Sequence, residues 1–135
     1  MIRSAAVAAL AALLVSACSS GEKADTSNPT AGLDSEILAW RTAVEAEHPA
    51  CASKVEGKGC QDFQVMCKAY QEIDAAEKAK GVVTQVVAAM TFAGRNPDGS
   101  TGKSGSSFML FSKDANGWTR TESKPVNMSS CAPLA

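Results

Sequence analysis

The sequence predicts an α+β fold in which two N-terminal helices pack on a three-stranded antiparallel sheet, stabilised by two disulfides. Three observations carry this prediction. Apolar residues before Gly81 recur at helical spacing, whereas β-branched residues dominate directly after it. Four of the five cysteines, Cys51, Cys60, Cys67 and Cys131, fall in the stretch able to form a core. That stretch, residues 34–135, holds about 100 residues, enough for one small domain that gains from cross-linking.

The first helix starts at Asp34 or Ser35, either of which can cap it, and carries Ile37, Trp40 and Val44 on one stripe until Pro49 ends it. A second helix is expected over 61–80. Phe63, Met66, Cys67, Tyr70 and Ile73 form its apolar stripe, Lys68, Gln71, Glu72 and Lys78 face away, and Gly81 suits its C-terminal cap. Residues 82–92 then read as a strand and 106–112 as another. Between them, residues 94–105 are dominated by Gly, Ser, Asn, Pro and Asp and read as a long mobile hairpin loop. A tight turn over 113–118, with Asn116-Gly117 suited to positive φ, leads into a third strand, 118–122. Residues 125–135 trail away, pinned by Cys131.

The N-terminus carries an address. Arg3 supplies a positive charge, and Ala5 to Val15 form an apolar run of about a dozen residues, short of the roughly 20 that span a bilayer as a helix. Val15-Ser16-Ala17-Cys18 closes it with small residues before a cysteine. These residues resemble the bacterial lipoprotein signal class, and the resemblance covers roughly the first twenty positions. It implies a signal peptide over 1–17, cleavage before Cys18 and a diacylglyceryl thioether on that cysteine. Ser19, in the position after the cysteine, implies transfer to the outer membrane where there is one. The other reading is an ordinary secretory signal, for which Val15 and Ala17 also suit a small-residue cleavage site. Residues 18–33, poor in bulky apolar side chains, form a tether with a typical reach of roughly 20 Å.

With Cys18 taken by lipid, four cysteines remain, an even set for an oxidising compartment. In a helix over 61–80, Cys60 and Cys67 stand about 10 Å apart along the axis, beyond the roughly 7 Å that a disulfide tolerates between Cα atoms. Two connectivities are left: Cys51–Cys60 with Cys67–Cys131, or Cys51–Cys67 with Cys60–Cys131. The first is preferred because Gly57 and Gly59 let the short intervening loop fold back. A four-thiolate zinc site lacks the C-x-x-C spacing of common zinc modules, so no metal or other cofactor is assigned.

The strands are apolar on both faces. Phe108 and Leu110 point one way and Met109 and Phe111 the other, while Val82, Val86, Met90 and Phe92 oppose Val83, Val87 and Ala89. Helices on one side need only one apolar face. The second is covered either by the tail and first helix or by a partner, for which Met109, Phe111 and Trp118 are the candidate contacts. The order of elements resembles the small lipoprotein subunit of the outer-membrane barrel-assembly machinery, in architecture and signal only. No internal run matches that family's pattern and the extra cysteines depart from it, so no functional residues carry over.

Enzyme signatures are weak. Gly102-Lys103-Ser104 ends like a phosphate-binding loop, but Pro97 stands where the first motif glycine belongs; nor is Gly102–Ser106 a nucleophile elbow. His48 is the only histidine and precedes Pro49 at the expected helix end, where it can meet terminal carbonyls. Glu45, Glu47 and Glu56 read as solvated carboxylates. A net charge of −1 gives no basic surface for nucleic acid. The sequence therefore points to a non-enzymatic binding or scaffolding module, lipid-anchored at the outer membrane and facing the periplasm, with an envelope protein or a second copy as partner. The alternative is a small exported inhibitor or enzyme that works through 94–105.

Overall fold

The computed structural model describes residues 28–134. Cys18, the signal segment 1–17 and the tether up to residue 27 lie outside the described residues. The fold is α+β, with one long helix, one short helix, a single four-stranded antiparallel sheet and two disulfides. In chain order the elements are α1 (Leu33–Glu47), a 3-10 turn (Pro49–Cys51), β1 (Cys60–Tyr70), α2 (Ala75–Ala79), β2 (Thr84–Arg95), β3 (Thr101–Asp114) and β4 (Gly117–Glu122). The strands form a meander in the order β1-β2-β3-β4, with β1 and β4 as open edges.

The first helix forms as expected, with Trp40 and Val44 buried and Ile37 packed beside them. It begins at Leu33, itself buried, with Gly32 at the cap position and no side-chain cap bond, so neither Asp34 nor Ser35 caps it and Asp34 lies in the first turn. The end assigned to the tether thus belongs to the domain. The Ala31 carbonyl accepts the Trp118 indole N–H at 2.8 Å.

The expected second helix is the main correction. Residues 60–70 are strand β1, and only Ala75–Ala79 is helical, capped by the Asp74 carboxylate on the Glu77 N–H at 2.8 Å and followed by Gly81. The misleading signal was a broken period. Register against β2 shifts between Gln61 and Gln64 and again between Val65 and Cys67, and Asp62 sits at φ 56°. Each irregularity inserts residues into a two-residue alternation, so Phe63 and Cys67 both reach packed positions at a four-residue spacing that imitates a helix, although they pack on opposite faces of the sheet. The likeness to the barrel-assembly lipoprotein rested on two helices and three strands, and this order does not carry it.

The expected loop over 94–105 is also largely strand. β2 continues to Arg95 and β3 begins at Thr101, leaving a five-residue turn. Its glycines serve close packing: a Cβ on Gly105 would strike the Phe92 ring, and one on Gly94 the Ala50 carbonyl. Within the turn, Ser100 donates its hydroxyl and its N–H to the Asp98 carboxylate, the latter at 2.9 Å. These bonds, the hydroxyl first, hold the Asp98 carboxyl below its ordinary value. A depressed folded value means that Asp98 stabilises the turn above the ordinary aspartate range and loses that contribution as pH falls through the lowered value. In an NMR titration Asp98 has a midpoint below that of a free aspartate, and Ser100→Ala moves it upward; an unchanged midpoint would remove the hydroxyl as the cause.

The disulfides are Cys51–Cys60 and Cys67–Cys131, the preferred pairing. The loop closed by the first turns back at Glu56-Gly57, both at positive φ, between mutually bonded Val55 and Lys58. Cys60 and Cys67 cannot pair, although the reason is a strand rather than a helix between them: seven residues of strand extend over about 23 Å.

The sheet is buried on both faces by the chain itself. Trp40, Val44, Val86, Met90, Phe92 and Phe111 form the core beneath α1. On the reverse face Val87 and Ala89 pack with Val126 and Cys131 from the tail, flanked by Phe108, Leu110 and Met128. Residues 125–134 therefore do not trail away. They fold back through a Val126–Pro133 bridge and a 2.7 Å bond from the Cys131 N–H to the Asn127 carbonyl.

Candidate binding surface

The three residues predicted as partner contacts share the α1 face of the sheet. Phe111 is corrected outright: it is 0% exposed, packed edge-on against Trp40 at 5.7 Å between ring centroids, and offers no surface. Trp118 is half-buried, spending its indole N–H on Ala31 and placing its ring 5.6 Å from the Lys113 ammonium. Met109 is half-buried at the side of α1.

Because a single helix lies across a broad sheet, a groove is left on each flank. The groove toward β3 and β4 has a volume of about 380 Å³ and includes Trp40, His48, Ser107, Met109, Arg120 and Glu122. Trp40, Ser107 and His48 are committed to structure. Trp40 donates its indole N–H to the Ser107 hydroxyl at 3.2 Å. His48 ends α1 through its N–H to the Val44 carbonyl at 2.9 Å, accepts the Ala50 N–H on Nδ1 at 3.1 Å, and stands edge-on to Phe92. The histidine thus caps, by opening the following 3-10 turn as well as closing the helix.

The groove toward β1 is smaller, about 220 Å³, and more apolar. Ile37, Leu38, Phe63, Val65 and Met90 line it, with Asp34 and Arg41 at its rim. The Arg41 guanidinium lies 4.6 Å over the Phe63 ring, and the Asp34 carboxylate is 4.0 Å from the Lys68 ammonium. Leu38 is 61% exposed, with Val65 and Met66 also open to solvent. Leu38 and Val65, two apolar side chains standing out at the lip of an apolar groove, form the clearest interaction surface on the described chain.

No family model, curated protein or solved structure matches this chain. Its surface must be interpreted from its own chemistry. Among the described residues no group of three or more His, Cys, Asp or Glu side chains is placed to hold a metal, and no helix is long and apolar enough to cross a membrane.

Sequence reasoning missed the β1 groove for an identifiable reason. Phe63 falls on the expected buried stripe of a helix that does not form, and Val65 on neither of that helix's named faces. Leu38 could have been found, since it stands about 100° around the helix from Ile37 and off the 37/40/44 stripe.

Proposed function

We propose that this protein is a non-enzymatic binding or scaffolding module of the cell envelope, anchored by lipid on Cys18 to the outer membrane and facing the periplasm, and that it docks an envelope protein through the α1–β1 groove. The observation that carries the binding reading is the exposure of Leu38 and Val65 at the lip of a groove already apolar at its base. Two disulfides support an oxidising compartment, and the apolar run ending at Cys18 supports the anchor. The occupant presents apolar side chains rather than a continuous strand. β1 is an open edge, but its two register shifts interrupt the regular row of N–H and C=O groups that open-ended pairing with a second copy would use.

A photo-reactive group at position 38 therefore captures one defined envelope protein from native membranes. The same group at exposed Thr119 does not, and Val65→Asp lowers capture at position 38 at least tenfold while leaving thermal unfolding unchanged. Equal capture from both positions, or capture indifferent to Val65→Asp, would dismiss the groove. Capture of a second copy of the chain would replace the envelope partner by self-association. The reading in which residues 94–105 inhibit or catalyse is left with the five-residue turn as its working edge.

A further inference from the structure

We propose that one end of the sheet, where β1 finishes and β2 begins, rests on the membrane, with Tyr70 and Val83 at the level of the lipid headgroups. This rests on the lipid anchor proposed above. The strand termini that build this end are fixed by register: Tyr70 pairs with Val86, Thr84 with Lys113, and Asp114 with Gly117. The N-terminal entry of the domain lies at the same end. Ala31 accepts hydrogen bonds there from Trp118 and, at 3.5 Å, from the Lys113 ammonium, and Thr30 and Leu33 share a concavity with Tyr70 and Val86. The Val83 N–H bonds the Lys113 carbonyl at 2.8 Å, which places Val83 beside the same lysine.

The length of chain before residue 28 sets the distance. Nine residues separate Cys18 from Asn28, and whatever their conformation they reach at most about 35 Å. β2 alone, with twelve residues, is about 40 Å long. The tether end is thus held within about 35 Å of the lipid, whereas the turn at 96–100 lies a strand-length farther from the entry point.

The side chains at the tether end suit an interface. Val83 at 70% and Tyr70 at 67% are the most exposed large apolar residues described, and both are here. Tyrosine, apolar in the ring and polar at the hydroxyl, favours the headgroup layer. Lys78 on α2 has a long stem that lets its ammonium group reach phosphates, while Lys80 at the helix C-cap pairs with Glu77 at 3.2 Å. Glu72, Asp74 and Glu77 stand in the same segment, so the contact is not a basic patch and should vary little with salt.

The test uses the full-length, lipid-modified chain in vesicles of phosphatidylethanolamine and phosphatidylglycerol doped with a doxyl-labelled phosphatidylcholine. An environment-sensitive fluorophore is attached through Val83→Cys, Tyr70→Cys or Asp98→Cys, with both disulfides intact. Quenching at positions 83 and 70 should exceed that at position 98 at least threefold, and should change less than twofold between 0.05 and 0.5 M salt (about a threefold drop in Debye length). Equal quenching at all three positions, or the strongest at 98, overturns the orientation. Mass spectrometry of the mature N-terminus separates the two failures: an unmodified Cys18 defeats the anchor itself, whereas a lipidated Cys18 with uniform quenching defeats only the orientation.

Discussion

Replacing Cys67 and Cys131 together by alanine lowers the unfolding free energy by about 4 kcal/mol, against about 3 kcal/mol for the corresponding loss of Cys51 and Cys60. The difference comes from loop length: the bridges join residues 64 and 9 positions apart, and the entropy removed from the unfolded chain grows with the logarithm of that span. The long bridge has a second role that the short one lacks. It holds the tail across Val87 and Ala89, and without it only the packing of Val126 and Met128 keeps the tail on the sheet, because the Val126–Pro133 bridge and the turn are internal to the tail. A domain of this size has about 5–15 kcal/mol in total, so the variant stays folded with a narrow margin and opens its reverse face first. Urea unfolding followed by tryptophan fluorescence gives the loss of stability. An apolar reporter dye binding the variant below its unfolding midpoint marks the opened tail. A loss under about 1 kcal/mol with no dye binding would show that the tail is held by packing alone.

How much of this was legible depended on whether a local signal agreed with the tertiary one. The first helix, the β2 and β3 cores and the β3–β4 turn, with Gly117 though not Asn116 at positive φ, were readable because spacing, propensity and turn chemistry agree there. The pairing of cysteines was readable because few geometries close a loop of nine residues. β1 was not. Its Gln, Lys and Met content and its interrupted alternation look helical in isolation, and only the edge of β2 and two disulfides make an extended chain the better state. The glycines near Gly105 misled for a related reason. A glycine demanded by an approaching ring is indistinguishable in sequence from one that frees a loop. The binding surface was least legible, because exposure is a property of the assembled fold. Leu38, Val65 and Tyr70 are apolar residues like any others until it is known what lies over them.

Phe111→Ala should cost about 3–5 kcal/mol, and Phe111→Asp should abolish cooperative unfolding altogether. The ring is fully enclosed where α1 crosses the centre of the sheet. Removing it leaves a cavity that Trp40 cannot fill, since the indole is fixed by its hydrogen bond to Ser107 and is itself 1% exposed. A carboxylate there would be buried beneath α1 without a partner and could persist only by protonating or by unfolding the domain. Met109→Asp gives the contrast. It lies two residues away on the same face, but at the open flank of the helix, where water can reach the new charge. It should cost about 1–2 kcal/mol and leave the transition cooperative. In a double-mutant cycle, Trp40→Ala and Phe111→Ala should couple by about 0.5–1.5 kcal/mol, as expected for an edge-to-face pair beyond its shared burial. Were Phe111→Asp to melt at the wild-type temperature, the ring would have to stand at the surface, and the residue would return as the partner contact that its alternation with Leu110 first suggested.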